Sequence, residues 1–187
     1  EVERAVDLKP LEGKHIIVTS GSTREQIDPI RIITNLSSGK MGESVARGCY
    51  IKGAKVSLVH SGKNIPYVDT YQVQSAEEMI ERVINLSREA DVLVSAAAIS
   101  DYGTDPLDQK LRSGRESIQL ELHRKPKLVD VVRKEFPDIM IVGFKAETEE
   151  DQKIVIERSK ELLERVGLAF VVANNARVMG LEDTEVK

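Results

Sequence analysis

The sequence has one cysteine, Cys49, no tryptophan, and three histidines among 187 residues. A lone thiol excludes an intramolecular disulfide and suits a reducing compartment. His15, His60 and His123 are too scattered to make a zinc set. No run approaches the ~18 apolar residues of a membrane span, and the opening "EVERAVDLKP" lacks the basic-then-apolar layout of a signal peptide, so a cytoplasmic location is expected. The formal net charge of -4 offers no positive excess with which to hold nucleic acid or an anionic membrane in general. Any phosphate must be gripped locally.

What remains is a globular composition, 41% hydrophobic and 31% charged, long enough for one sizeable core and short for two. Residues 1–13 read as a linker or arm with Pro10 and Gly13 as breakers, and 14–187 as a single domain. Five short apolar runs, "HIIVTS" (15–20), "KVSLVH" (55–60), "DVLVSAAA" (91–98), "IMIVGF" (139–144) and "AFVVAN" (169–174), end in small or polar residues, as strands of a parallel sheet buried on both faces do. Helical patterns separate them. Met41, Val45, Gly48 and Cys49 share a face ahead of Gly53; Ser75 with Glu78 makes a capping box before Met79, Ile80, Val83 and Ile84; "KLVDVVRKEF" and "EDQKIVIERSKELLERVG" complete the set. Short strand–helix alternation predicts an α/β fold, a Rossmann-like three-layer sandwich with a mostly parallel sheet. The last residues, "DTEVK", fall where a further strand is expected.

In such sheets ligands sit beyond the carboxyl ends of the strands. The connection after the first strand, Gly21 to Ser37, is about 17 residues against the usual 2–6. It contains neither GxGxxG nor a phosphate loop of the GxxxxGK type followed by Ser or Thr, since "GSTREQ" follows the strand and Met41 follows "GK". The physics of anion binding survives without those labels. Ser37, Ser38 and Gly39 stand at the start of a helix, where hydroxyls, backbone N–H groups and the helix dipole favour an anion, and Gly39 and Gly42 are expected to let a ligand approach the backbone. Simple capping by the two serines is the alternative. Arg24, Arg31 and Asn35 on the same edge weigh toward a ligand.

The run "GSTREQIDPIRIITNLSSGKMG" resembles the phosphopantothenoylcysteine synthetase family, whose pattern is close to GPTRE, DPVR and SNxSSGKMG. "AAAISDY", "KLRS", "VGFKAET" and "VVAN" match further blocks of that family in the same order, so the resemblance spans 14 to 180. It implies a ligase that activates the carboxylate of 4′-phosphopantothenate with CTP as an acyl-cytidylate, releases diphosphate, and lets the amine of L-cysteine displace CMP. It also implies a Mg2+ ion accompanying CTP, a homodimer whose acyl site draws on both subunits, and a fused or separate flavin-dependent phosphopantothenoylcysteine decarboxylase as partner.

Carried over by position, Asn35 matches an asparagine that handles the acyl-cytidylate, and Lys110 the first lysine of a mobile KxKK loop, where it would neutralise charge building on the phosphoryl oxygens. Arg112 and Ser113 replace the loop's later lysines. Gly21, Ser22, Thr23, Arg24 and Arg31, with Ser37, Ser38, Gly39, Lys40, Met41 and Gly42, match the acyl-substrate and phosphate side. Ser95, Ala96, Ala97, Asp101 and Phe144 match nucleotide contacts; Lys160 is the better match, to a first helical lysine, and Arg165 the weaker match, to a second, where the alignment needs an insertion. Lys125 and Lys127 replace the asparagine and aspartate of a KNPD-like stretch, which leaves Lys125 as a cation on the nucleotide side. A nicotinamide-dependent oxidoreductase and a non-catalytic nucleotide sensor are the alternatives; the first lacks both its glycine fingerprint and an acid closing the second strand, which ends "LVHSG".

Overall fold

The computed structural model describes residues 8–62, 64–114 and 116–175; residues 1–7 of the expected arm and the expected strand near "DTEVK" lie outside them. In chain order the strands are β1 (His15–Ser20), β2 (Arg24–Asp28), β3 (Arg31–Thr34), β4 (Lys55–His60), β5 (Asp69–Gln72), β6 (Val92–Ser95), β7 (Tyr102–Gly103), β8 (His123–Arg124), β9 (Met140–Glu147) and β10 (Phe170–Asn175). The helices are α1 (Lys40–Ile51), α2 (Ala76–Ser87), α3 (Leu128–Glu135) and α4 (Gln152–Val166).

Six strands form one parallel sheet in the order β10-β9-β6-β1-β4-β5. From β1 the chain moves outward through β4 and β5, then crosses back to β6 and outward again on the other side. The order therefore reverses between β1 and β6, where their carboxyl ends diverge and leave a crevice. Alternation along β1 explains the layers: Ile17 packs on one face with Met79 and Val83 of α2, Val132 of α3 and Val166 of α4, while Ile16 and Val18 pack on the other with Ala46 of α1. Ile17, Leu58, Leu93 and Ile141 are wholly buried, each worth about 1.5–3 kcal/mol of burial.

The α/β sandwich is as the sequence predicts, and three elements are additional. The long connection after β1 is not irregular: β2 and β3 form an antiparallel hairpin with a register shift between Gln26 and Asp28. β5 extends the sheet beyond β4, and β7 pairs with β8. β6 stops at Ser95, short of the expected Ala98, because the chain turns across β1: Ala97 N–H donates to Thr19 Oγ1 (3.1 Å) and Ala98 N–H to the Gly21 carbonyl (2.8 Å). β9 runs three residues past the expected end at Phe144, to Glu147. The capping expected at α2 is present, with Glu78 N–H donating to Ser75 Oγ (3.1 Å) and the Glu78 carboxylate accepting from Gln74 N–H (2.8 Å). Among the described residues no helix is long and apolar enough to cross a membrane.

Candidate functional site

A cleft of about 990 Å³ opens at the crevice between β1 and β6. One wall is the entry to α1, from Asn35 to Gly42 with Ser44; the floor is Ser95 to Asp101; the far wall comes from the end of β9, the start of α3 and one face of α4.

The α1 entry is fixed by contact with β1. Gly39 is the N-cap residue, with φ of 79°, and no side chain caps the helix. Neither serine is the N-cap residue, though Ser38 Oγ, one position earlier, accepts a long hydrogen bond from Lys40 N–H (3.4 Å). Ser20, the last residue of β1, donates its hydroxyl to the Gly39 carbonyl (2.8 Å). The glycines serve packing, while both also line the cleft: a Cβ on Gly42 would lie 2.6 Å from Ser20 Cβ and 2.8 Å from the Thr19 carbonyl, and one on Gly39 would lie 3.2 Å from Gly21 Cα. Two hydroxyls and the first turn of α1 are thereby set against the crevice, where initial N–H groups lack intrahelical acceptors.

Residues 21–23 do not line the cleft. They form a strut beside it: Ser22 bridges Ala98, Thr23 N–H donates to the Ala98 carbonyl (3.3 Å), and Thr23 Oγ1 bonds Ser100. Asn35 lines the cleft and its Nδ2 donates to the same Ala98 carbonyl (3.2 Å). Arg24 reaches away to Gln74 (3.3 Å).

Arg31 also stands outside the cleft. Its guanidinium pairs with Asp28, a wholly buried carboxylate. Burial pushes the Asp28 pKa up, but N–H donors from Leu111, Ile30 and Arg31 together with the guanidinium outweigh it and hold the value at about 2.

On the nucleotide side Ser95, Ala96, Ala97, Asp101, Phe144 and Arg165 all line the cleft. Lys125 and Lys160 do not. Lys125 turns to the buried Glu25 (3.8 Å), so the position expected to face the nucleotide holds a structural ion pair. Lys160 lines a separate cavity of about 400 Å³ with Val155, Ser159 and Ala173. Two residues from Arg158, it sits about 200° around the helix. Of the two matched helical positions, Arg165, the weaker match, is therefore the one in the cleft, steadied by Asp130 (2.8 Å).

Lys145 and Arg158 are site residues that the sequence reading missed. Both line the cleft and both grip Glu147, Lys145 at 3.0 Å and Arg158 at 3.1 Å. The Lys145 ammonium, with Arg158 and against burial, holds the Glu147 carboxyl below its ordinary value. The available signal was helical spacing, since Arg158 and Arg165 are seven residues apart and share a face. Lys40, Lys127, Lys145, Arg158 and Arg165 line the cleft with the acids Asp101 and Glu161, and Glu147 and Asp130 stand behind them as ion-pair partners, so the cleft is slightly positive on a negative chain. Asp101 is itself paired with Lys127 (3.3 Å). Lys110 is exposed on the loop after β7 and lies outside the cleft. Of the histidines, His15 and His60 are buried with Ser57 and Asn64 as partners, and His123 is exposed on β8.

The family described as DNA/pantothenate metabolism flavoprotein C-terminal domain matches residues 11–187. The chain belongs to that family. This bears out the resemblance carried by the motif run. The chain is 41% identical over 190 residues to the coenzyme A biosynthesis bifunctional protein CoaBC of Thermococcus kodakarensis, covering 99% of the chain and 47% of that relative. With the Methanocaldococcus jannaschii protein of the same name it shares 39% identity, covering 88% of the chain and 41% of the relative. The chain thus spans under half the length of these curated relatives. The crystal structure of the C-terminal domain of CoaBC superposes with a TM-score of 0.75 at 32% identity, covering 96% of the chain and 87% of that domain. A Cab2 variant in complex with phosphopantothenate-cysteine has the same fold, with a TM-score of 0.74 at 18% identity, 88% of the chain and 73% of that chain being covered.

Proposed function

We propose that this domain is a phosphopantothenate–cysteine ligase that uses CTP. The observation that carries the reading is the juxtaposition, in a member of this family, of the α1 entry (Ser37 to Gly42) and the small-residue floor (Ser95 to Ala97) across one cationic cleft. A carboxylate and a triphosphate are both anions, and a helix N-terminus facing lysines and arginines suits both.

In the first step a carboxylate oxygen of 4′-phosphopantothenate attacks the α-phosphorus of CTP, the bond to diphosphate breaks, and an acyl-cytidylate forms. In the second the amine of L-cysteine attacks the acyl carbon, loses a proton, and CMP departs. Small side chains at 95 to 97 leave the backbone open to a base or ribose, with Phe144 beside it. Asn35 orients the mixed anhydride, and Arg158, Lys145 and Arg165 hold the phosphates. Lys110 is brought over by its loop and offsets charge as diphosphate leaves.

Among the described residues no three His, Cys, Asp or Glu groups stand together to hold a metal. The cleft's two acids, Asp101 and Glu161, fit an ion carried by the triphosphate's own oxygens and not a protein cage. Mg2+ would enter with CTP and spread phosphate charge, with Asp101 as its protein contact. The reading includes a homodimer, supported by the exposed apolar residues Ile30, Ile32 and Leu36 at the hairpin and its exit and Ile118, Leu120 and Leu122 in the segment that leads into β8. It also includes partnership with a flavin-dependent phosphopantothenoylcysteine decarboxylase, fused or separate.

Incubation with CTP, Mg2+, 4′-phosphopantothenate and cysteine should release one diphosphate per amide formed. No release with CTP or any other nucleoside triphosphate would refute the ligase, and tight CTP binding without turnover would favour a sensor. Asn35→Ala should let acyl-cytidylate accumulate in a quenched reaction.

A further inference from the structure

The sequence singles out the turn "DPIR" for its arginine, yet the most heavily bonded group there is Asp28. Its carboxylate is wholly buried and accepts from four donors. Oδ1 takes the N–H groups of Ile30 and Arg31, each at 2.9 Å, which closes the turn between β2 and β3. Oδ2 takes the Arg31 guanidinium and, from a residue 83 positions away, the N–H of Leu111 at 2.9 Å. The same guanidinium donates to the Leu111 carbonyl at 3.3 Å, so both backbone groups of Leu111 are held by one acid–arginine pair. Four residues earlier, Leu107 N–H donates to the Ile27 carbonyl at 2.9 Å. The two anchors bracket Lys110, whose own side chain is exposed.

We infer that Asp28 is a positioning residue: with Arg31 it pins the loop at Leu111 and so sets where Lys110 starts its approach to the cleft. The assignment rests on the ligase reading for what Lys110 does, but the anchor is a structural statement of its own. An isolated turn would need only the Oδ1 bonds. The second oxygen, aimed at a remote N–H and its arginine, is what a tether requires. A carboxylate is suited to this, because it accepts on both oxygens, whereas an amide of the same shape presents N–H groups to two donors and repels them.

The test uses Asp28→Asn and, independently, Leu111→Pro, which deletes the donor and leaves the other three bonds to Asp28 in place. Brief trypsin digestion of the full chain reads the tether as cleavage after Arg112, with cleavage after Arg31 as the control for the hairpin. Both variants should be cut at Arg112 at least tenfold faster than the parent with Arg31 no more susceptible, and Leu111→Ala, which keeps the N–H, should be cut at the parent rate. In the diphosphate assay both variants should lose about tenfold in kcat with KM for CTP unchanged. Unaltered Arg112 cleavage in both overturns the tether. Faster cleavage with unchanged kcat overturns the positioning role. An inactive parent sinks the ligase reading instead, and proteolysis then still decides the anchor.

Discussion

Residues 37–42 and residues 107–111 both carry groups suited to phosphate chemistry, and they are held in opposite ways. The first stretch is set against β1 by backbone contact, with Gly42 so close to Ser20 and Thr19 that no Cβ fits. The second is tied down by a few hydrogen bonds, to the Asp28 carboxylate, the Arg31 guanidinium and the Ile27 carbonyl. The difference teaches where rigidity is placed. A cradle for ground-state anions gains from being preorganised by the core; a cation needed when charge builds on a leaving group gains from a connection that can let go.

Four perturbations sharpen or break this contrast. Removing the Lys110 side chain should have the largest effect: Lys110→Ala should lower kcat about 100-fold, roughly 2.7 kcal/mol of transition-state stabilisation, with the melting temperature unchanged. A loss confined to KM would contradict the assignment. Next, Gly42→Ala should destabilise the fold by about 1–3 kcal/mol in urea denaturation, as overpacked core sites do; a neutral result would mean that α1 is not locked to β1. Third, Arg165→Ala should raise KM for CTP roughly tenfold, equivalent to about 1.4 kcal/mol, while Lys160→Ala leaves it unchanged. The reverse pattern would move the nucleotide to the cavity lined by Lys160.

The fourth effect is on acid stability and leaves the neutral-pH activity contrast aside. Asp28 has a folded pKa of about 2 against an ordinary 3.8. A depressed carboxyl stabilises the fold fully above the unfolded value, and that contribution is lost as pH falls from about 4 through about 2. The stability gap between the parent and Asp28→Asn should therefore be present at pH 5 and narrow toward pH 2.5. A gap independent of pH would mean that charge is not what Asp28 contributes.

Much of this was legible before any coordinates. The central strands are apolar runs ended by small residues, and the crevice follows from their order. β5 was not legible because "DTYQ" is a polar edge strand with no buried-strand signature, and β2 and β3 escaped notice because four or five alternating residues inside a long connection resemble a loop. Within the site, "SSGKMG" could be read from turn chemistry alone, though the glycines' reason, contact with β1, required the fold. Lys145 was hidden by the early end assigned to β9. Lys125 and Lys160 were misplaced because position in a motif does not fix side-chain direction: a buried glutamate claimed one, and helix phase turned the other away.

The most direct test of the central claim is a crystal structure of the protein soaked with CTP and Mg2+. The account predicts the base and ribose against Ser95 to Ala97 with the phosphates between the α1 entry and Arg158 and Arg165. Nucleotide density beside Lys160, or anywhere away from the crevice between β1 and β6, would contradict it.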